Sequence, residues 1–110
     1  MFFNTIKKIS GGSGATKEQA IIINAPSDKL GVDAEYEYLE SIYGEQNVEW
    51  RLDEQMLMIS ENKYYDILNI ELRNGKQLSY WFDINSFYGK EWYVKIYIHA
   101  CNITWFKIKK

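Results

Sequence analysis

Few residues of this 110-residue chain are suited to acid–base or nucleophilic chemistry. Its single histidine, His99, stands two residues before its single cysteine, Cys101. In a strand these two side chains would point to the same face, as a Cys–His nucleophile pair or a two-ligand metal contact would require. No third ligand or further base is marked nearby, so we interpret the pair as part of an ordinary strand and expect neither a metal nor a cofactor.

Carboxylates are the other candidates, and the most informative of them is Asp66. Acids also stand at Asp53-Glu54 and at Asp83, where they could act as proton donors or hold a hard cation. Asp66 falls in the same alternating phase as the apolar residues around it, which directs its side chain toward the core. A buried carboxylate needs a partner, so one hypothesis is a small enzyme built around Asp66. The alternative that we favour is a structural carboxylate bonded to backbone amides or to a basic side chain.

The C-terminal tail combines aromatic and basic residues. Residues 1–89 hold 8 basic and 14 acidic groups, a net charge of −6, whereas residues 90–110 hold 5 basic and 1 acidic group, a net charge of +4. Such a tail could stack bases and neutralise phosphates in single-stranded nucleic acid. The acidic body would repel a polyanion, so nucleic-acid binding is the alternative and not the main hypothesis. The residues that would carry it are Trp92, Lys95, Tyr97, Trp105 and Lys107.

Acidic residues dominate the middle of the chain. Residues 28–54 contain nine acids against two bases. Asp33, Glu37 and Glu40 recur at the spacing of one helical face, and Glu45 follows closely. Such a face could attract a basic protein partner, because complementary charge accelerates encounter and selects partners. A merely solvated helix face is the competing interpretation.

Composition limits the chain to one domain that folds without a disulfide. The hydrophobic fraction of 46% and the charged fraction of 25% are typical of globular proteins. A single cysteine excludes an internal disulfide, and the N-terminus lacks the pattern of a signal peptide, so we expect a cytoplasmic protein. No stretch approaches the apolar length of a membrane helix, and Gly11-Gly12-Ser13-Gly14 lacks the lysine of a phosphate-binding loop.

One helix is predicted from about Lys29 to Tyr43. Ser27 or Asp28 can cap its start, and Gly44 stands where a helix commonly ends. An apolar stripe along this segment should face the core; it consists of Val32, Tyr36, Leu39 and Tyr43.

The rest of the chain predicts strands. Ala20-Ile21-Ile22-Ile23 is predicted to be a buried strand near the sheet centre, and strand-like runs between Val48 and Ile84 are joined by Asn74-Gly75, a strong hairpin signal. Each run has a period of two, which assigns one alternating set of side chains to the core face. These sets are Val48, Trp50, Leu52, Met56 and Met58; then Tyr64, Asp66, Leu68, Ile70 and Leu72; and then Leu78, Tyr80, Phe82 and Ile84. A bulge or a break in the strand is expected near Asp53-Glu54 and a turn at Glu61-Asn62. We therefore predict an α+β fold, with a mostly antiparallel sheet of five or six strands and one amphipathic helix packed on one face. Residues 1–16 form a flexible arm in this interpretation, and residues 17–110 form a single domain in which 91–110 are either an added strand pair or a poorly ordered extension.

Several segments resemble small bacterial proteins of unknown function over about residues 17–90. The similar segments are Ile-Ile-Ile-Asn at 21–24, Ala-Glu-Tyr-Glu-Tyr-Leu at 34–39, Val-Glu-Trp at 48–50, Tyr-Tyr-Asp-Ile-Leu at 64–68 and Phe-Asp-Ile-Asn-Ser-Phe-Tyr-Gly-Lys at 82–90. These motifs are structural in kind, and the resemblance implies no activity. Such proteins end soon after the Gly-Lys that stands here at 89–90, so the tail from Glu91 has no counterpart in them. Together these observations favour a non-enzymatic binding module, of inhibitor or immunity type.

Overall fold

Five strands and one helix form the body of the protein. The computed structural model describes residues 9–89, together with the backbone of residues 93–99 and 102–107. The elements in chain order are β1 (Ile9–Gly11), β2 (Ile21–Ile23), α1 (Asp28–Tyr43), β3 (Trp50–Ser60), β4 (Lys63–Leu72), β5 (Gln77–Asp83), β6 (Tyr93–His99) and β7 (Asn102–Lys107).

The sheet is mixed and mostly antiparallel, which confirms the predicted fold class. Its strand order is β1-β2-β5-β4-β3, and β6 and β7 form a separate two-stranded antiparallel sheet. Among the strands that the structure describes, only β2 and β5 pair in parallel, with Ile21 opposite Phe82 and Ile22 opposite Asp83. The chain therefore leaves β2, crosses one face of the sheet as α1, and enters β3 at the far edge.

Helix α1 begins at Asp28, one residue before the predicted start at Lys29, and ends at the predicted Tyr43. The Oγ atom of Ser27 accepts a hydrogen bond from the Leu30 amide at 3.3 Å, so Ser27 is the N-cap. At the other end Gly44, with φ of 107°, donates its N–H to the Glu40 carbonyl at 2.9 Å. A positive φ of this kind favours glycine, which explains why the helix stops there.

The hairpin of β3 and β4 contains both predicted irregularities. The register shifts between Leu52 and Glu54, so Asp53 is the extra residue of a β-bulge. Because the bulge shifts the alternation, Gln55 takes the core-facing position, and Met56 and Met58 turn to the opposite face. A strict period of two had placed those methionines in phase with Trp50 and Leu52.

Two different turns connect β3, β4 and β5. Glu61 and Asn62 both have positive φ and join Ser60 to Lys63 in a two-residue hairpin. The Asn74-Gly75 turn is longer: Gly75, with φ of 91°, donates to the Leu72 carbonyl, and the Leu72 amide donates to the Lys76 carbonyl. The hairpin predicted from Asn74-Gly75 is therefore present, with a wider turn than a two-residue loop.

The glycine-rich stretch before β2 is bound to the sheet. β1 pairs antiparallel with β2, the Gly14 amide donates to the Gln19 carbonyl at 2.7 Å, and the Trp81 amide donates to the Gly14 carbonyl at 2.8 Å. A Cβ at Gly14 would lie 2.7 Å from Cδ1 of Ile21, so a larger residue does not fit without displacement. Residues 9–16 of the predicted arm are thus hydrogen-bonded, and residues 1–8 lie outside the described residues.

The core lies between α1 and one face of the sheet. The helix contributes buried residues of its predicted stripe, and the sheet contributes alternate residues of every central strand. These side chains are the principal source of stability, because burial of apolar surface is the main favourable term in folding. The buried core consists of Ile21, Ile23, Val32, Ala34, Leu39, Trp50, Leu52, Leu68, Ile70, Phe82, Ile84 and Phe87.

The segment after β5 closes the end of this core. The Ser86 hydroxyl donates to the Ile23 carbonyl at 2.7 Å and accepts from the Ala25 amide at 3.2 Å. The Asn85 side chain accepts from the Tyr64 amide at 2.9 Å, which continues the ladder of β4. The Gly89 amide donates to Asp28 at 3.2 Å. The Phe-Asp-Ile-Asn-Ser-Phe-Tyr-Gly motif is therefore a structural clasp between β2, β4 and α1.

Candidate functional site

The acidic face of α1 is the clearest surface feature. Glu37, Glu40 and Glu45 are exposed, and Asp33 is half-buried on the same side of the helix. Lys29 pairs with Asp33 at 3.0 Å, and it is the one basic residue in α1. We define this acidic face as Asp33, Glu37, Glu40 and Glu45, the four residues that the sequence proposed for partner binding. The structure brings the first three together on the outer side of the helix, and Glu45 follows just beyond Gly44.

Two acids of the same stretch are not on the surface. Asp28 and Glu35 are buried, so the acidic excess of residues 28–54 overstates the charge that a partner would meet. Glu35 lies at a core-facing position of α1, where the helical period predicts an inward side chain. Glu35 stands three residues after Val32 and four before Leu39, so its spacing indicates the core-facing side of the helix. A count of acidic residues over 28–54 ignores this spacing and treats Glu35 as a surface charge.

The predicted inward position of Asp66 is confirmed, because its side chain is fully buried. Asp66 stands opposite Leu57 on β3 and Phe82 on β5. Nearby on the same face, the Tyr36 hydroxyl donates to Oε1 of Gln55 at 3.1 Å. Glu35, Gln55 and Asp66 thus place polar groups between the helix and the sheet. A fully buried Asp66 does not reach a substrate in this conformation, which counts against the enzyme hypothesis.

An open cavity of about 330 Å³ lies elsewhere, at the start of β3. Two arginines lie at its rim, and both are neutralised: Arg51 contacts Glu71 at 2.5 Å and Asp53 at 3.1 Å, and Arg73 contacts Glu49 at 3.6 Å. The neighbouring carboxylate of Glu71 raises the pKa of the Arg51 guanidinium further. Paired arginines of this kind leave little net charge for an anionic ligand. The cavity is lined by Asn47, Val48, Trp50, Arg51, Glu71, Leu72 and Arg73.

A tyrosine pair lies between the end of α1 and β5. The Tyr43 and Tyr80 hydroxyls are 2.5 Å apart, and the Tyr38 ring packs edge-on against Tyr80. Burial, and then the hydrogen bond to Tyr43, raise the pKa of Tyr80 well above its ordinary value.

This shift predicts a loss of stability in alkali. In the unfolded chain Tyr80 ionises near pH 10, whereas the folded protein holds the proton to higher pH, so the free energy of unfolding should fall from about pH 10 upward. Tyr80→Phe should make that fall shallower, as measured by urea unfolding at several pH values. Tyr88→Phe, at a half-buried tyrosine that stacks on Tyr64, is the matched control. An unchanged pH slope in Tyr80→Phe would contradict the prediction.

The residues proposed for nucleic-acid binding fall partly within β6 and β7. The ladder places Lys95 opposite Trp105, Tyr93 opposite Lys107 and Tyr97 opposite Ile103. Trp92 lies outside the described residues, and so does Cys101, the proposed neighbour of His99. Within the described residues, no group of three or more His, Cys, Asp or Glu side chains is arranged to hold a metal ion.

Comparison of the sequence with protein-family models, with curated proteins and with solved structures finds no match. The resemblance of residues 17–90 to small bacterial proteins therefore stays a prediction. In the part of the chain that the structure describes, no helix is long and apolar enough to cross a membrane.

Proposed function

We propose that this protein is a non-enzymatic binding module whose acidic face engages a basic surface of a protein partner, as an inhibitor or immunity protein would. The observation that carries the proposal is the grouping of Asp33, Glu37 and Glu40 on the outer side of α1, with Lys29 as the only base in that helix. A net negative charge on one face steers a positively charged partner and discriminates against others.

The rigidity of the helix supports this role. α1 is capped by Ser27 and Gly44, and its inner side is packed against the sheet. Charges on a fixed helix keep their spacing when the partner arrives, which reduces the conformational entropy lost on binding. The enzyme alternative has less support, because Asp66 is fully buried and the arginines at the cavity are paired.

Charge reversal on the acidic face should weaken binding. The partner is identified as the basic protein retained by the immobilised full-length chain at low ionic strength, and it is then purified and titrated by calorimetry. Glu37→Lys together with Glu40→Lys should raise the Kd by about tenfold or more, and added salt should weaken the wild-type complex.

The matched control reverses two exposed carboxylates elsewhere. Glu18→Lys together with Glu61→Lys changes the net charge equally at sites outside α1. This control should bind within about twofold of the wild type at moderate salt, since distant exposed charges are screened. Equal loss in both double variants would show that only net charge matters, and an unchanged Kd in the helix variant would refute the proposal.

A second candidate is single-stranded nucleic acid bound by the tail. The observation that favours it is the β6–β7 register, which alternates basic and aromatic residues across the two strands. The same purified chain titrated with a single-stranded oligonucleotide separates the two functions. Salt-dependent binding that is lost in Lys95→Glu with Lys107→Glu, and kept in the helix variant, would favour this second candidate.

A further inference from the structure

Strand β3 is an open edge of the sheet. It pairs with β4 on one side, and from Glu54 to Ser60 its outer side meets no other strand of the described residues. Only its first residues are covered, where the Asn47 amide donates to the Trp50 carbonyl at 2.6 Å. An uncovered edge presents a row of backbone donors and acceptors, which is a template for another strand.

The exposed part of this edge is apolar on both faces of the sheet. Four consecutive side chains are substantially exposed: Met56 by 38%, Leu57 by 40%, Met58 by 38% and Ile59 by 60%. Natural edges are usually protected by lysine, proline or a bulge. Neither lysine nor proline occurs from Glu54 to Ser60, and the bulge at Asp53 lies before this stretch. From Glu54 to Ser60 the edge therefore lacks these protections and exposes apolar side chains.

The hairpin geometry fixes which backbone groups point outward. Ser60 and Lys63 close a two-residue turn, so their N–H and C=O groups face each other. Inward and outward groups then alternate along an antiparallel strand. The outward groups belong to Gln55, Leu57 and Ile59.

We propose that a second copy of this chain occupies the edge, with the two β3 strands antiparallel about a two-fold axis through Leu57. The extended segment between the bulge and the turn runs from Glu54 to Ser60, and Leu57 is its midpoint. In this register the two copies pair along the full length of Glu54–Ser60. It places Leu57 opposite itself, Gln55 opposite Ile59, Met56 opposite Met58 and Glu54 opposite Ser60, so that residues with outward groups face one another.

The two ends of the proposed β3–β3 contact bring together residues of opposite charge. The Lys17 ammonium lies 3.1 Å from the Ser60 hydroxyl. In the proposed register Ser60 stands opposite Glu54 of the second copy, which brings Lys17 beside that carboxylate, and the two-fold axis repeats the contact at the other end. No like charges oppose each other from Glu54 to Ser60. A two-fold axis perpendicular to the sheet also leaves both α1 helices on the same side of a sheet with twice the five strands of one copy.

The first test measures the mass of the full-length chain in solution. Light scattering or sedimentation at about 100 µM protein should give about twice the 13.1 kDa of one chain. Leu57→Lys should give the monomer mass, because a charge at the midpoint is placed opposite itself. Ile42→Lys, at an equally exposed apolar residue of α1, should remain dimeric. A monomeric wild type, or a dimer that persists in a folded Leu57→Lys variant, would overturn the proposal.

A charge swap tests the register without altering the apolar stretch. Lys17→Glu alone and Glu54→Lys alone should each weaken the dimer by about fivefold or more, and the double variant should recover most of the loss. Circular dichroism establishes that each variant is folded. Two independent, additive effects would rule out this contact.

Cysteine cross-linking tests the two-fold axis directly. Hydrogen-bonded antiparallel pairs have Cα atoms about 5.5 Å apart, which a disulfide can span. In a background with Cys101→Ser, Leu57→Cys should oxidise to a covalent dimer. Met56→Cys should not, because residue 56 faces residue 58 of the second copy. Equal cross-linking of both variants would contradict the Leu57-centred register.

Discussion

Replacing Trp50 by alanine is expected to lower the free energy of unfolding by about 3–5 kcal/mol. Trp50 is among the largest fully buried side chains and lies at the start of β3 under the end of α1. Its indole N–H donates to the Gly44 carbonyl at 2.8 Å, and its ring contacts Tyr36. Alanine would remove the packing and leave a cavity, while the carbonyl at the helix end would lose its donor.

Urea unfolding followed by circular dichroism measures this loss. Trp50→Phe is the matched variant, because phenylalanine keeps most of the packing and removes the indole donor. It should cost about 1–3 kcal/mol, because the partly buried Gly44 carbonyl loses its donor and some packing is lost as well. If alanine and phenylalanine destabilise equally, the hydrogen bond to Gly44 is the main contribution; if neither changes stability, the described packing of Trp50 is wrong.

Gly31→Ala is expected to destabilise the protein by about 1–3 kcal/mol, although alanine is the better helix former. A Cβ at residue 31 would lie 2.5 Å from Cδ2 and Cζ of Phe87. Real atoms do not approach so closely, so either the Phe87 ring or α1 must move. Because Phe87 is fully buried in the clasp after β5, there is little room for that movement.

A double-mutant cycle separates this clash from a general helix effect. Phe87→Leu shortens the side chain that alanine would meet, so the cost of Gly31→Ala should shrink in that background. Thermal unfolding of the four proteins gives the coupling. An equal cost of Gly31→Ala with phenylalanine and with leucine at residue 87 would refute the contact.

Local signals in the sequence predicted most of the fold. Ser27 and Gly44 marked the two ends of α1 because capping depends on side chains within a few residues. The alternation in β4 and β5 placed Asp66, Leu68, Phe82 and their neighbours on the core face. The parallel contact of β2 with β5 was not predicted, because nothing in the short Ile21–Ile23 segment specifies a partner so distant in sequence.

The candidate site was predictable only in part. The spacing of Asp33, Glu37 and Glu40 correctly grouped them on one side of α1, since the helical period alone determines this. The exposed edge at Met56–Ile59 was missed, because a period of two assigned Met56 and Met58 to the core. A one-residue bulge reverses every later side chain in a strand. A bulge or break near Asp53-Glu54 was predicted, but the side chains after it were not reassigned to the opposite faces of the sheet.

The parallel contact between β2 and β5 also predicts an order of events in folding. The hairpins β3–β4 and β4–β5 join residues close in sequence, so the entropy cost of closing their loops is small. β2 reaches β5 only after the intervening helix and both hairpins have been traversed, and contacts of such long range form slowly. We therefore expect the meander of β3, β4 and β5 to form first and the earlier part of the chain to pack onto it afterwards. The hydrogen bond between Ser86 and Ile23 is expected to form with that later step.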